Sequence, residues 1–257
     1  METDRLLGVT DVWVRACVTA EPSITGAAAS GSSVGTPRDA GTAHATPGPA
    51  PVVAIQIPAG DSASEQLASL RSIHDAQCPH CTIATGHTQT VFGEGNPAAR
   101  LVFVGEAPGE TEDQLGRPFV GRAGQKLDEM IKAMGMSRDD VYIANVLKSR
   151  PPDNRTPLPT EVERCAPYLA AQLRIIRPEV IVSLGGPATK FLLGVDTGIT
   201  KLRGQWASWT PPNGWDGVPI PVMPTYHPAY LLRNYTPKTR GEVWSDLKQV
   251  IERLRGR

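Results

Sequence analysis

The fold of this chain is decided by one run, Leu101-Val-Phe-Val-Gly-Glu-Ala-Pro-Gly-Glu-Thr-Glu-Asp-Gln-Leu-Gly-Arg-Pro-Phe-Val-Gly-Arg-Ala-Gly124. It opens with four apolar residues, Leu101 to Val104, the pattern of a strand covered by helices on both faces. Gly105 breaks that pattern, and glycine, proline and acidic residues follow as far as Phe119. Apolar positions at helical spacing return from Ala123, at Leu127, Met130, Ile131 and Met134. Strand, loop and helix in this order put the loop at the carboxyl end of a strand, where open α/β sheets bind their ligands. The loop is longer than a tight turn and carries Glu106, Glu112 and Phe119. It reads as a pocket wall.

Outward from this run the pattern repeats. Val141–Asn145, Val180–Leu184 and Pro219–Thr225 are short apolar runs bounded by turn residues, and each reads as a strand. Between and after them, helical periodicity predicts helices over 160–177, 187–193 and 240–254. A helix over 65–76, with Ser64 as its N-cap, precedes the opening strand. Val91–Asn96 reads as a turn, and the Trp-rich stretch 199–217 as an excursion of hairpin type. Strands alternating with helices predict a three-layer α/β/α sandwich with a central four-stranded parallel sheet. Right-handed crossovers then gather the strand ends after Val104, Ala144, Leu184 and Pro224 on one rim. The 105–119 loop, Asn145, the loop 148–159 and the run Thr225–Arg233 meet there.

Composition narrows the class. The 257 residues carry 26 basic and 26 acidic side chains, so net charge announces no nucleic-acid partner by itself. No apolar run approaches a membrane span, and the acidic start Met1-Glu-Thr-Asp-Arg5 lacks the apolar core of a secretory signal. The expected compartment is the cytoplasm. Glu21 to about Gly60 is Ala, Gly, Ser, Thr and Pro with few large apolar residues, which cannot bury enough surface to offset chain entropy. Residues 1–63 therefore read as an extension that is mostly disordered linker, and 64–257 as the folded domain.

Several residues carry chemistry, each with a plainer alternative. Cys78-Pro-His-Cys81 and the distant Cys165 supply three thiolates suited to an iron–sulfur cluster or zinc, although C-x-x-C also serves packing and redox pairs. Cys17 lies beyond the linker and is not counted with them. Phe119 is either core or a ring for stacking on a flat ligand such as a base. Asn145, at a strand end, either caps a turn or pairs donor and acceptor with a base edge. His227 precedes a proline, as turn histidines often do, and its proton changes hands near neutral pH. Arg150, Arg155 and Arg233 are solvated surface or phosphate contacts.

Taken together and in order, these elements resemble the family-4, thermophile-type iron–sulfur uracil-DNA glycosylases. The resemblance covers about residues 64–255. It rests on Cys78-Pro-His-Cys81, Val91-Phe-Gly-Glu-Gly-Asn-Pro97, Gly105-Glu-Ala-Pro-Gly109, Thr111-Glu-Asp113, Gly116-Arg-Pro-Phe-Val-Gly-Arg-Ala-Gly124, Asn145-Val-Leu-Lys148, Arg150-Pro-Pro-Asp-Asn-Arg-Thr-Pro157 and His227-Pro-Ala-Tyr-Leu-Leu-Arg233. It implies an enzyme that flips uracil out of single- or double-stranded DNA and hydrolyses its N-glycosidic bond. Carried over, Phe119 stacks on uracil, Asn145 reads its pairing edge, and His227 donates toward O2 as negative charge grows there. Glu106, Ala107 and Gly109 line the pocket, and Glu112 occupies the position of a functionally relevant acid. Leu231 is the wedge that fills the gap left by the flipped base. Arg150, Arg155 and Arg233 contact the DNA. A 4Fe-4S cluster is implied on Cys78, Cys81 and Cys165, and a monomer at the nucleoid.

Two positions depart from the pattern. Ala107 stands where other uracil-DNA glycosylases carry a water-activating aspartate, which leaves Glu112 or a dissociative route that needs little base help. Ser149 stands where the family has its remaining cysteine, so the fourth cluster ligand is a serine oxygen, another group or none, with zinc or no metal as further options. The loop 149–156 lacks the histidine of a cross-linking branch, so turnover is expected and not a permanent adduct. The rival reading is a uracil-DNA binding or sensing protein with little turnover. A nucleotide-binding enzyme fits poorly, because the glycine loop matches neither G-x-G-x-x-G nor a P-loop.

Overall fold

The computed structural model describes residues 55–77, 87–212 and 215–256. The sheet has six strands in the order β1-β3-β2-β4-β6-β5: β1 (Glu94–Gly95), β2 (Leu101–Gly105), β3 (Tyr142–Asn145), β4 (Val180–Leu184), β5 (Ala207–Trp209) and β6 (Ile220–Thr225). The four central strands are parallel, as the alternation of strands and helices predicts. The two outer strands are additions to the expected count. β1, read as a turn, pairs antiparallel with β3, and β5 forms an antiparallel edge on β6. Both are very short, which limits the exposed edge available for unwanted strand pairing.

Side-chain alternation along the strands builds two cores. Val102 and Val104 of β2 face one side with Tyr142, Ala144, Ile181 and Val222. Helices α1 (Ala63–Gln77), α4 (Pro159–Ile176) and α5 (Gly186–Leu193) cover that side through Leu70, Leu169, Leu173 and Leu192. Leu101 and Phe103 point the other way with Ile143, Val182, Leu184 and Met223. That side is closed by α3 (Arg122–Ala133), α7 (Pro228–Arg233) and α8 (Pro237–Arg255) through Leu127, Ile131, Leu231, Leu247 and Val250. The result is an α/β/α sandwich.

Four differences from the sequence reading matter. Ser62, not Ser64, caps α1: its Oγ accepts from the Glu65 N–H at 3.2 Å, and Glu65 returns a carboxylate to the Asp61 N–H at 2.9 Å. Ile55 and Ile57 pack against the core, so the folded part reaches back beyond residue 64. Two six-residue helices, α2 (Glu110–Leu115) and α7, occupy stretches without helical periodicity; α6 (Ile199–Leu202) is shorter still. α8 also begins a turn earlier than expected, where the Thr236 hydroxyl accepts from the Thr239 N–H at 3.1 Å and Pro237 takes the first helical position. Among the described residues no helix is long and apolar enough to cross a membrane.

Candidate active site

The carboxyl ends of β2, β3, β4 and β6 surround a cavity of about 630 Å³, lined among others by Glu106, Ala107, Gly109, Phe119, Asn145, Gly185, His227 and Arg233. Gly105 ends β2 with no side chain because there is no room for one. A Cβ there would stand 2.3 Å from Asn145 Oδ1 and 2.5 Å from Phe119 Cζ. The amide and the phenyl ring therefore share one wall. Asn145 is 1% exposed, and its Oδ1 is buried with no hydrogen-bond partner among the described residues. Leaving a buried acceptor unsatisfied costs about 1–3 kcal/mol, a cost that a ligand donor would remove.

Phe119 is held from both sides. Its backbone is left-handed, at φ 52°, which a bulky residue adopts only when its surroundings force it. Beneath it, Glu112 Oε1 accepts from the N–H groups of Val120 at 2.9 Å and Gly121 at 2.7 Å. Above it, Arg138 donates to the carbonyls of Pro118 at 2.7 Å and Phe119 at 3.0 Å, while Asp128 and Glu94 anchor the guanidinium. Gly124 completes the clamp: a Cβ there would fall 1.9 Å from the Phe119 carbonyl oxygen.

His227 faces this wall, its ring centroid 5.6 Å from that of Phe119. Nδ1 accepts from the Ala229 N–H at 3.1 Å, so the ring proton of the neutral form sits on Nε2. Burial, with Arg233 adding repulsion, lowers the His227 pKa to about 4, and the ring is neutral at pH 7. Gly185, at φ 86°, lets the His227 backbone come close: a Cβ there would sit 2.9 Å from His227 Cβ. Behind the same loop, buried Asp246 accepts from the Thr225 hydroxyl at 2.7 Å and binds Arg203. Glu106 also lines the cavity, and burial raises its pKa to about 7.

Residues 92–248 match the profile of the Uracil DNA glycosylase superfamily. Among curated proteins the chain is 47% identical over 187 residues to a type-4 uracil-DNA glycosylase of Thermotoga maritima, covering 72% of this chain and 94% of that one. It is 46% identical to a type-4 enzyme of Sulfurisphaera tokodaii, over 68% of this chain and 79% of the relative. A third type-4 relative, from Archaeoglobus fulgidus, is also 46% identical, over 68% and 87%. The chain belongs to the uracil-DNA glycosylase superfamily.

Not every expected residue sits as the motifs suggest. Leu231 is 3% exposed and packed in the core, whereas its neighbour Leu232 is 36% exposed. Without DNA Leu231 packs in the core, and entering a base stack would require α7 to carry it out of these contacts. Arg155 forms a two-bond ion pair with buried Glu161, at 2.8 and 2.7 Å, and shapes the 150–157 loop. Arg150 is hydrogen-bonded to Asn154 at 2.8 Å near the surface. Arg233 is exposed at the cavity mouth.

Cys165 and Ser149 are both buried, and Cys78 and Cys81 lie outside the described residues. Among the described residues no group of three or more His, Cys, Asp or Glu gathers for a metal. The surroundings of Cys165 nonetheless suit a thiolate. Fully buried Lys148 lies next in sequence to Ser149, close enough for the Cys165 charge to oppose the fall in its pKa to about 7 that burial causes. The His74 ring packs edge-on against Tyr168 at 4.7 Å, bringing the last turn of α1, just before Cys78, beside the turn of α4 that follows Cys165.

Arg138, Gln172 and Asp246 went unnoticed in the sequence. Lys148 Nζ donates to the Asn145 carbonyl at 2.8 Å and to Gln172 Oε1 at 2.6 Å, so the strand end that carries Asn145 is tied into α4. Only the Lys in Asn145-Val-Leu-Lys148 hinted at this.

Proposed function

We propose that this protein excises uracil from DNA, hydrolysing the N-glycosidic bond and leaving an abasic site. The observation that carries this reading is the buried Asn145 amide with an unpartnered Oδ1, facing the same cavity as a phenyl ring and a neutral Nε2–H. Uracil needs these three features. Its N3–H donates to Oδ1, its O4 accepts from the Asn145 amide N–H, and cytosine reverses the donor and acceptor of that edge. Phe119 supplies the stacking face. As the C1′–N1 bond breaks, its electron pair passes to the base, and His227 Nε2–H donates to the O2 on which charge accumulates. A neutral imidazole in a buried site is a suitable donor, because it needs no second charge beside the leaving anion. Water adds to C1′ and loses a proton. Glu106, a cavity carboxyl whose pKa burial raises to about 7, would accept it in this reading.

Cys165, Cys78, Cys81 and the oxygen of Ser149 are the residues that would hold an iron–sulfur cluster, and buried Lys148 lies close enough to Cys165 for their charges to interact. When bound, such a cluster would cross-link α1, α4 and the end of β3, and no chemical step passes through it. Arg233 and Arg150 contact DNA phosphates in this reading, and the protein acts as a monomer, in the cytoplasm at the nucleoid. The catalytic unit comprises residues 64–257 together with the segment from Ile55 that packs on its core. The test is incubation with single- and double-stranded oligonucleotides carrying one uracil, followed by alkaline cleavage. Strand breaks at the uracil are expected. Tight retention of the oligonucleotide without breaks, at stoichiometric protein, would instead establish a binding protein.

A further inference from the structure

Outside the cavity, one exposed aromatic side chain is built into its place. Tyr235 is 55% exposed and sits in the joint between α7 and α8. The joint is stiff: the Asn234 N–H donates to the Tyr230 carbonyl at 2.9 Å, and the Thr236 N–H to the Asn234 carbonyl at 2.9 Å. Two cations converge on the Tyr235 ring, Lys126 Nζ at 4.7 Å and the Arg240 guanidinium carbon at 4.9 Å from its centroid. Lys126 also pairs with Glu129 and is only 12% exposed, so it holds the ring in place while Arg240 stays exposed. From Ala229 to Gly241 there is no acidic residue, while Arg233, Lys238 and Arg240 are all exposed.

The cluster borders the cavity along two separate elements. Ala123 of α3 lines the cavity, and Lys126 lies one turn further along the same helix. Tyr230 and Arg233 of α7 line it too, and Tyr235 follows two residues after Arg233. Exposed Leu232 lies in the same stretch. A flat ring, or a guanidinium plane lying on it, beside the exposed Arg233, Lys238 and Arg240 is what a stacked base and its phosphate need.

We propose that Tyr235 and Arg240, held in place by Lys126, form a second nucleotide subsite that takes a base flanking the flipped uracil and the phosphate attached to it. This rests on the reading of the cavity as a uracil pocket, but the subsite needs only a nucleic-acid strand. Stacking accepts any base, so the subsite adds affinity and not sequence preference.

The test is fluorescence anisotropy of the full chain with a uracil-free single-stranded oligonucleotide, beside steady-state excision from uracil oligonucleotides of full and minimal length. Tyr235→Ala should weaken binding of the uracil-free strand about 5- to 100-fold, with Tyr235→Phe within about 2-fold of the wild type. Arg240→Gln should flatten the salt dependence by about 0.7 in the logarithmic slope. On uracil substrates Tyr235→Ala should raise KM for the long strand alone and leave kcat unchanged. Binding by Tyr235→Ala equal to the wild type overturns the subsite, and so does Tyr235→Phe failing as badly as Tyr235→Ala. If the wild type excises no uracil, the reading of the cavity fails, and the uracil-free binding still decides the subsite.

Discussion

Replacing Glu112 by glutamine separates two jobs that a pocket carboxylate can hold: activating water, and holding the loop that carries the stacking ring. Glu112 Oε1 accepts from two backbone N–H groups, at 2.9 and 2.7 Å, and the side chain is almost entirely buried. A hydrogen bond to a charged acceptor is worth about 1.5–3 kcal/mol and a neutral one about 0.5–1.5. Glutamine keeps an acceptor oxygen in place, so the loss is about 1 kcal/mol per bond, or about 2 kcal/mol in all. That is of the order of the ~1–3 kcal/mol needed to hold a residue such as Phe119 in its left-handed conformation. The clamp should loosen without failing.

For a holding role, Glu112→Gln should lower Tm by about 4–8 °C, since a domain of this size loses some 2–4 °C per kcal/mol. KM for uracil-DNA should rise about tenfold while kcat stays within about fivefold, because loop order is spent on capturing the base. The pH profile of kcat/KM should keep its rise through about pH 7, the value to which burial moves Glu106, and Glu106→Gln should abolish that rise. Circular dichroism melts and excision kinetics between pH 5 and 9 measure all three. A fall in kcat of more than about 100-fold with an unchanged Tm would refute the holding role, because losing a general base costs about 10²–10⁴ in rate and need not cost stability. It would also return the water-activating step to Glu112.

His227 makes an acid-stability prediction. Its folded pKa of about 4 lies below the unfolded value of 6.5, so the unfolded chain binds the extra proton first, and stability is lost as pH falls from about 6.5 toward 4. At pH 5 the penalty is about 2 kcal/mol, and urea melts of His227→Ala should show that much less destabilisation between pH 7 and 5; an identical pH dependence would mean that the ring is not desolvated. Ser149→Cys should raise the iron retained after purification and the visible absorbance of the protein, since thiolate suits a soft cluster better than a hydroxyl does. Unchanged iron would assign the fourth position to another group, with His87 the first to test, because its Nδ1 is buried without a hydrogen-bond partner among the described residues.

The central strands were legible because parallel strands buried on both faces must be apolar throughout, and four such runs alternate with periodic helices. The rim followed from the handedness of the crossovers, which is why Phe119, Asn145 and His227 could be grouped before any geometry was known. What was not legible depends on faces and backbones. Leu231 and Leu232 are adjacent and chemically identical, and only the tilt of a six-residue helix decides which one enters the core. β1 is two residues long and defined by its partner, Tyr142–Ile143, not by its own composition.

Glu112 shows the same limit most clearly. Its residue type advertises acid–base chemistry, while the groups it binds are backbone amides of Val120 and Gly121, which no side-chain pattern records. Arg138 is invisible for a related reason, since its targets are the carbonyls of Pro118 and Phe119. The two residues nonetheless answer a question the sequence had raised. A phenylalanine between Pro118 and two glycines, in a loop at a strand end, was odd because nothing local favours a bulky ring there. The answer is an opposed pair, a carboxylate that takes the N–H groups following Phe119 and a guanidinium that takes the carbonyls at and before it. Removing either leaves the other pulling on a loop that no longer has a reason to stay left-handed. The ring is thus ready before uracil arrives, and the ordering cost that a mobile loop would add to base capture is met in folding instead.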